Sequence, residues 1–273
     1  MSFPPSPGSR KDLMLKSNLR TVLGYGCGIV FYELIFIWMY PSIAKSAALN
    51  TLLKSLPQGW VNLVGYQSGV TNVSDFLAGE FYGLIYIIIM AIFTVTTATK
   101  LVAHMVDNGS LAYLLATPVA RGNIARTQAA LLGLGILFIG ALSTLGGLLG
   151  VPLFLHGAHL NPLHFIELNV VGALLFLVIG SYSFIFSCLA KDERTALRAS
   201  VILTLAFYLL NTVAKLSHMF SWLNHVTIFA AFNAQNPIHG SGDFSAIASG
   251  LAGASIACFA IAIVGFRKRQ MSL

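Results

Sequence analysis

Val106–Gln128 reads VDNGSLAYLLATPVARGNIARTQ, and its position between two long apolar runs decides how the chain is folded. It is too polar at both ends to cross a bilayer and too regular to be a plain loop. Asn108 or Ser110 is suited to satisfy the first free N–H groups of a helix. Leu111, Leu114 and Leu115 supply one apolar face, and Tyr113 extends that surface. Thr117-Pro118 stops the helix, because the residue before a proline disfavours the helical region. Arg121 and Arg126 mark the return into apolar sequence. A short surface helix over residues 108–118 is therefore expected between two membrane crossings.

The composition outside this stretch agrees. The 273 residues are 56% hydrophobic and 9% charged, with a mean hydropathy of +0.80. A soluble domain carries roughly 25% charged residues. This chain cannot cover a water-facing surface, and an integral membrane protein is the class that fits. The net charge of +7 resides at the ends of apolar runs, which points to lipid headgroups and topology rather than nucleic acid. Cys27, Cys188 and Cys258 lie inside apolar runs, as small hydrophobes do, and show neither a disulfide framework nor a zinc spacing.

Taken in order, residues 1–10 are rich in Pro and Ser and read as a disordered terminus. Residues 11–20 read as an interfacial helix, and the whole of 11–273 as one transmembrane domain. The first span is expected over 21–40. An outer segment over 41–75 follows, with Leu49, Leu52, Leu53 and Leu56 on one helical face. Ser74 or Asp75 is a candidate cap for the second span, 76–101. The third span is expected over 128–154 with a break near Pro152, the fourth over 165–189, the fifth over 197–215 and the sixth over 245–266. Residues 217–244 form a second outer segment, whose apolar run, 225–232, is too short to span and reads as re-entrant or interfacial.

Charge supplies the orientation. With both termini in the cytoplasm, thirteen of the 16 Lys and Arg fall inside and only Lys45, Lys54 and Lys215 outside. That bias is the positive-inside pattern. The expected fold is thus an all-α membrane protein of six transmembrane helices with both ends cytoplasmic.

The chemistry of the chain is sparse. No GxxxxGK[ST] nucleotide loop, HExxH or CxxC occurs, so no catalytic residue, metal or bound cofactor is expected on this chain. Gly180-Ser181-Tyr182-Ser183 has Tyr182 where a nucleophilic serine would stand. Glu33 is the acid inside a span, where a charge costs about 3 kcal/mol on insertion scales. It reads either as a cavity or dimer-interface residue near a substrate path, or as a hydrogen-bonded structural acid. Glu80 and Glu167 read as solvated span ends. Thr94, Thr96, Thr97 and Thr99 either line a path or bond back to their own helix. His156, His159, His164, His218, His225 and His239 all map to the outer side without the spacing of a helical metal pair. Gly24 with Gly28, Gly146 with Gly150, and Ser249 with Gly253 are small-xxx-small pairs, suited to close helix packing within the chain or across a dimer seam.

With those residues in place, the chain resembles the permease subunits of type-2 ABC exporters. These have six spans, a long outer segment after the first, a short cytoplasmic helix between the second and third, and a partly re-entrant segment before the sixth. The cytoplasmic signature reads here as Asp107-Asn108-Gly109-Ser110, then LAYLLAT, then Pro118-Val119-Ala120-Arg121. Phe266-Arg267-Lys268-Arg269 resembles the family's basic end. The resemblance implies a cell-membrane exporter subunit whose 108–118 helix, with Asp107, Gly109, Ser110, Leu111, Tyr113, Leu114, Leu115, Pro118 and Arg121, couples it to a cytoplasmic ABC ATPase. ATP and Mg would be bound by that partner. A second permease copy or a similar permease would complete the pathway, with Glu33, Gly24 and Gly28 as candidate pathway or interface residues. The alternative is a stand-alone channel or ion-coupled secondary transporter using Glu33.

Overall fold

The computed structural model describes residues 7–44, 72–107, 121–155, 158, 160–216, 218–232 and 243–268. These are almost wholly helical, with no strand among them. Six helices are long and apolar enough to cross a membrane: Asn18–Ala44, Val73–Ala103, Gly122–Phe154, Pro162–Leu189, Glu193–Leu216 and Phe244–Arg267, here spans 1 to 6. The chain is therefore a multi-pass membrane protein by length and composition of its helices. The surface segments expected over 41–75 and 108–118 fall mostly outside the described residues, as does the second half of the segment over 217–244.

Several boundaries differ from expectation. The first helix runs from Pro7 to Ala44 without interruption, so residues 7–10 belong to it rather than to a disordered tail. Proline fits a first helical turn because its missing N–H would have no partner there. The third span's helix starts at Arg121 and continues through Pro152 to Phe154. Pro152 lies in the last turn, where one lost backbone bond ends the helix soon after instead of breaking it. Neither Ser74 nor Asp75 caps span 2: Asn72 holds the cap position without a side-chain bond, and Asp75 is buried within the first turn. The run before span 6 forms two 3₁₀ turns, His218–His225 and Ile228–Ala231. The second tucks inward, with Phe232 stacked on Tyr86 and Phe229 against Tyr208.

Span 4 is the axis of the bundle. Of its most apolar stretch 72% is buried, against 22% for span 1 and 17% for span 6. Spans 2, 3, 5 and 6 all pack against it, and span 1 lies on span 3. Glycines set the closest approaches. A Cβ added to Gly150 would meet Leu34 at 2.6 Å and Ile37 at 2.9 Å, and one added to Gly146 would meet Glu33 Oε2 at 2.9 Å. Gly146 and Gly150 are thus the seam between spans 1 and 3. Gly24, Gly28 and Gly253 have nothing within 4 Å of an added Cβ, so the other two small-residue pairs face out of the bundle.

The two ends differ in charge. Gly122 lies beside Arg267, Gly265 beside Leu189, and Ala103 beside Ser187, which gathers these span termini at one end. Arg20, Lys100, Arg126, Lys191, Arg194, Arg198 and Arg267 all belong to it. Span 2 is fastened there by Ser187, whose hydroxyl accepts from Ala103 N–H at 2.9 Å and donates to Thr99 C=O at 3.0 Å. One helical turn would join those two groups directly, so Ser187 has entered the ladder of the neighbouring helix. At the same end Asp192 caps span 5. Its carboxylate accepts from Thr195 N–H at 2.7 Å and Thr195 Oγ1 at 2.9 Å.

The Asp192 carboxyl is held below its ordinary value, first by the Thr195 backbone N–H and then by the Thr195 hydroxyl. The cap therefore stabilises the helix start fully above the unfolded value of about 3.9 and is lost as pH falls below it. Hydrogen exchange should show Thr195 amide protection fading on acidification, and already absent at neutral pH in Asp192→Ala. The glycine seam makes a second prediction. Gly150→Val should destabilise the fold by about 1–3 kcal/mol through overpacking. Gly24→Ala should change it by less than about 0.5 kcal/mol. Unfolding of both variants in mixed micelles ranks them.

Candidate functional site

The acid expected to matter, Glu33, is fully buried in the middle of the bundle. Its side chain faces span 3, where Gly146 and Gly147 leave the space it occupies: a Cβ on Gly147 would lie 2.8 Å from Glu33 Oε1. The carboxyl is thus enclosed within the chain. Gly24, by contrast, is exposed.

Three other spans bring polar groups to Glu33. The Tyr82 hydroxyl of span 2 lies 2.9 Å from Glu33 Oε1, 2.9 Å from Ser143 Oγ of span 3 and 3.2 Å from Asn169 Oδ1 of span 4. Ser143 Oγ donates to Glu33 Oε2 at 3.3 Å. Asn169 is oriented by its own helix, since Nδ2 donates to Phe165 C=O at 3.0 Å. All four side chains are buried. The Tyr82 ring is walled by Phe81, Tyr86 and Phe165, at 4.9, 5.0 and 5.7 Å between centroids. A polar group without a partner is costly in such a buried setting, and here the bonds come from the chain itself.

A π-helical segment positions Tyr82. Span 2 begins as an α-helix, passes through Leu77–Ile85 as a π-helix and resumes as an α-helix at Tyr86. Tyr86 N–H bonds to Phe81 C=O, five residues back. A π turn holds an extra residue, so side chains are rotated relative to an α course, and such turns gather at functional sites. Here the rotation sets Phe81, Tyr82 and Tyr86 all toward the interior. The Tyr86 hydroxyl finds no hydrogen-bond partner there among the described residues.

A second feature lies nearer the basic end. A groove of about 480 Å³ opens on the flank between spans 1, 2 and 3, lined by Val22, Phe93, Leu132, Gly135 and Phe138, with Asn18, Thr21 and Thr97 as its polar members. Of the threonine set, Thr97 alone lines the groove. Thr96 and Thr99 donate to carbonyls of their own helix, Ile92 and Val95, and buried Thr94 has no partner among the described residues. In span 4, Ser181 bonds back to Val178, and Tyr182 pairs with Thr204 at 2.6 Å. Neither bond involves a base. Among the described residues, no three His, Cys, Asp or Glu converge as metal ligands.

The Asp107–Arg121 stretch is placed only at its ends. Asp107 is the exposed last residue of the helix that carries span 2, and Arg121 is the first of the helix that carries span 3. Gly109, Ser110, Leu111, Tyr113, Leu114, Leu115 and Pro118 lie outside the described residues. The residues missed from the sequence are Tyr82, Ser143 and Asn169. Each is a polar residue in the half of its span away from the basic end, and that shared depth was the available signal.

Removal of one member should expose the coupling. Tyr82→Phe and Asn169→Leu should each cost about 1–3 kcal/mol. Because both belong to one network, the double variant should depart from additivity by about 0.5–3 kcal/mol. Unfolding of the two single variants and the double variant measures that term.

Neither a family model nor a curated protein matches this sequence.

Proposed function

We propose that this chain is the transmembrane permease subunit of an ATP-binding-cassette exporter in a cell membrane, worked by a separate cytoplasmic ATPase. The observation that carries the reading is the connection between spans 2 and 3. It leaves Asp107 and re-enters at Arg121, at the end of the bundle where the basic residues gather. By the positive-inside rule that end is the cytoplasmic one. The intervening sequence, Gly109-Ser110 followed by Leu111, Tyr113, Leu114 and Leu115 and closed by Pro118, has the pattern of a capped amphipathic helix. Such a helix, joined directly to two spans, would transmit a push from a docked ATPase. The nucleotide and its Mg would reside on that partner. A second permease copy, or a similar chain, would pair through outward faces. The open ridge of Gly24 and Gly28 on span 1 suits such close contact.

A second reading is favoured by Glu33. A carboxyl held among hydroxyls inside a membrane bundle is what a channel or ion-coupled carrier would need. That reading requires no ATPase.

Leu111→Asp combined with Leu114→Asp should lower co-purification with the cognate ATPase at least tenfold, about 1.4 kcal/mol of lost affinity. Unchanged association, or labelling of Tyr113 from the external side, overturns the exporter reading. Substrate flux in liposomes containing this chain alone, without ATP, supports the carrier.

A further inference from the structure

The Glu33 cluster poses a problem of counting. Four oxygen pairs lie within hydrogen-bond distance: Tyr82 Oη with Glu33 Oε1, Ser143 Oγ and Asn169 Oδ1, and Ser143 Oγ with Glu33 Oε2. Every such contact needs a proton between its two oxygens. Tyr82 and Ser143 bring one each. If Glu33 were ionised, two protons would serve four contacts. Tyr82 could then donate to Glu33 or to Asn169, but not to both.

The orientation of Asn169 removes the usual escape. Turning its amide over would put the oxygen against Phe165 C=O, 3.0 Å away, and lose the bond that Nδ2 donates there. Asn169 therefore presents an acceptor to Tyr82. An ionised Glu33 that takes the Tyr82 proton leaves the Asn169 oxygen buried and without a donor. It also leaves a bare charge, since no Lys, Arg or His among the described residues pairs with it. The titratable groups facing it are Tyr82 and Tyr86, both of span 2. Span 3 contributes Ser143 and two glycines, and span 4 contributes Asn169 and Phe165. Each of the two defects is costly for fully buried groups.

We propose that these four side chains form a one-proton binding site that is loaded in the folded bundle. Glu33 keeps its proton and donates it to Tyr82 Oη, Tyr82 donates to Asn169 Oδ1, Asn169 donates to Phe165 C=O, and Ser143 donates to Glu33 Oε2. The bound proton closes a relay that runs across spans 1, 2 and 4 and is braced by span 3. It raises the hydrogens serving the four contacts from two to three, leaving Tyr82 Oη and Ser143 Oγ as the one pair without its own, and it removes the charge. The ligand is the proton itself. The site clamps span 1 to its neighbours. This inference stands apart from the exporter reading, because it rests on the interior alone.

The test uses the full chain in lipid nanodiscs at neutral pH. Infrared spectra of wild type and Glu33→Gln should differ by the carbonyl band of a protonated carboxylic acid, present in wild type and absent in the variant. A difference confined to carboxylate bands overturns the proposal. Stability gives an independent readout, because Gln retains a donor and an acceptor in the places of a neutral acid. Glu33→Gln should unfold within about 4 °C of wild type, the shift that about 1 kcal/mol produces. Glu33→Ala should fall well below both. A Gln variant as unstable as the Ala variant would mean that Glu33 only accepts, as an anion does. If Glu33→Gln does not fold, the band is read in wild type against Tyr82→Phe. It should shift in frequency when the phenol is removed, and an unmoved spectrum in that region counts against the relay.

Discussion

A polar group inside hydrocarbon has no solvent to fall back on, and most of this fold follows from that. Where the chain places hydroxyls, an amide and a carboxyl at one depth, the helices have to bring them together. Tyr82 meets Glu33, Ser143 and Asn169 at 2.9 to 3.2 Å. Four separate spans are held in register by that meeting. The apolar surface cannot do this alone, because a leucine is as well accommodated by lipid as by another helix. Packing supplies contact, and the polar knot supplies the choice of one arrangement among many.

The glycines show the same constraint from the other side. Gly146 and Gly147 are where Glu33 sits, and Gly150 is where Leu34 and Ile37 sit. Span 1 could not approach span 3 closely enough to engage Ser143 if these positions carried side chains. Gly24 and Gly28, on the same first span, meet nothing within 4 Å. One helix thus carries an inward face committed to the knot and an outward face of small residues with no partner among the described residues. The contrast separates packing that completes the monomer from a surface left open.

How much of this was legible in the sequence follows from the range of each interaction. Hydropathy is a local property, and all six spans could be read from it. Boundaries were less legible because they depend on a few residues. Pro152 stops a helix within a turn rather than breaking it, and Pro7 opens one. Glu33 could be singled out, being an acid among apolar neighbours, but its partners could not. They stand 49 and 110 positions away, and no local pattern pairs Tyr82 with Ser143 or Asn169. The π-helical segment was hidden for a related reason. Leu77–Ile85 carries Gly79 and Gly83, but glycines also recur inside the α-helical third span, so they do not by themselves mark a π turn. Its course is set by where Phe81, Tyr82 and Tyr86 have to point, which is known only once the other spans are in place.

Span 2 shows what the two ends of the bundle have in common. In its first half the π turn delivers Tyr82 to Asn169 of span 4. Near its other end, Ser187 of span 4 enters the helix between Thr99 and Ala103. The same pair of helices is therefore stitched twice, by polar contacts far apart along their length. Two attachment points fix both separation and rotation, where one would leave a pivot. Span 3 joins this body through Ser143 and the seam of Gly140 against Ala173 of span 4. The helices on either side of the Asp107–Arg121 connection thus belong to one braced unit. A displacement applied to that connection would be carried by spans 2, 3 and 4 together. It would not be absorbed by bending any one of them. Span 5 is tied to span 4 by one further buried bond, Tyr182 with Thr204, and span 6 packs along span 4.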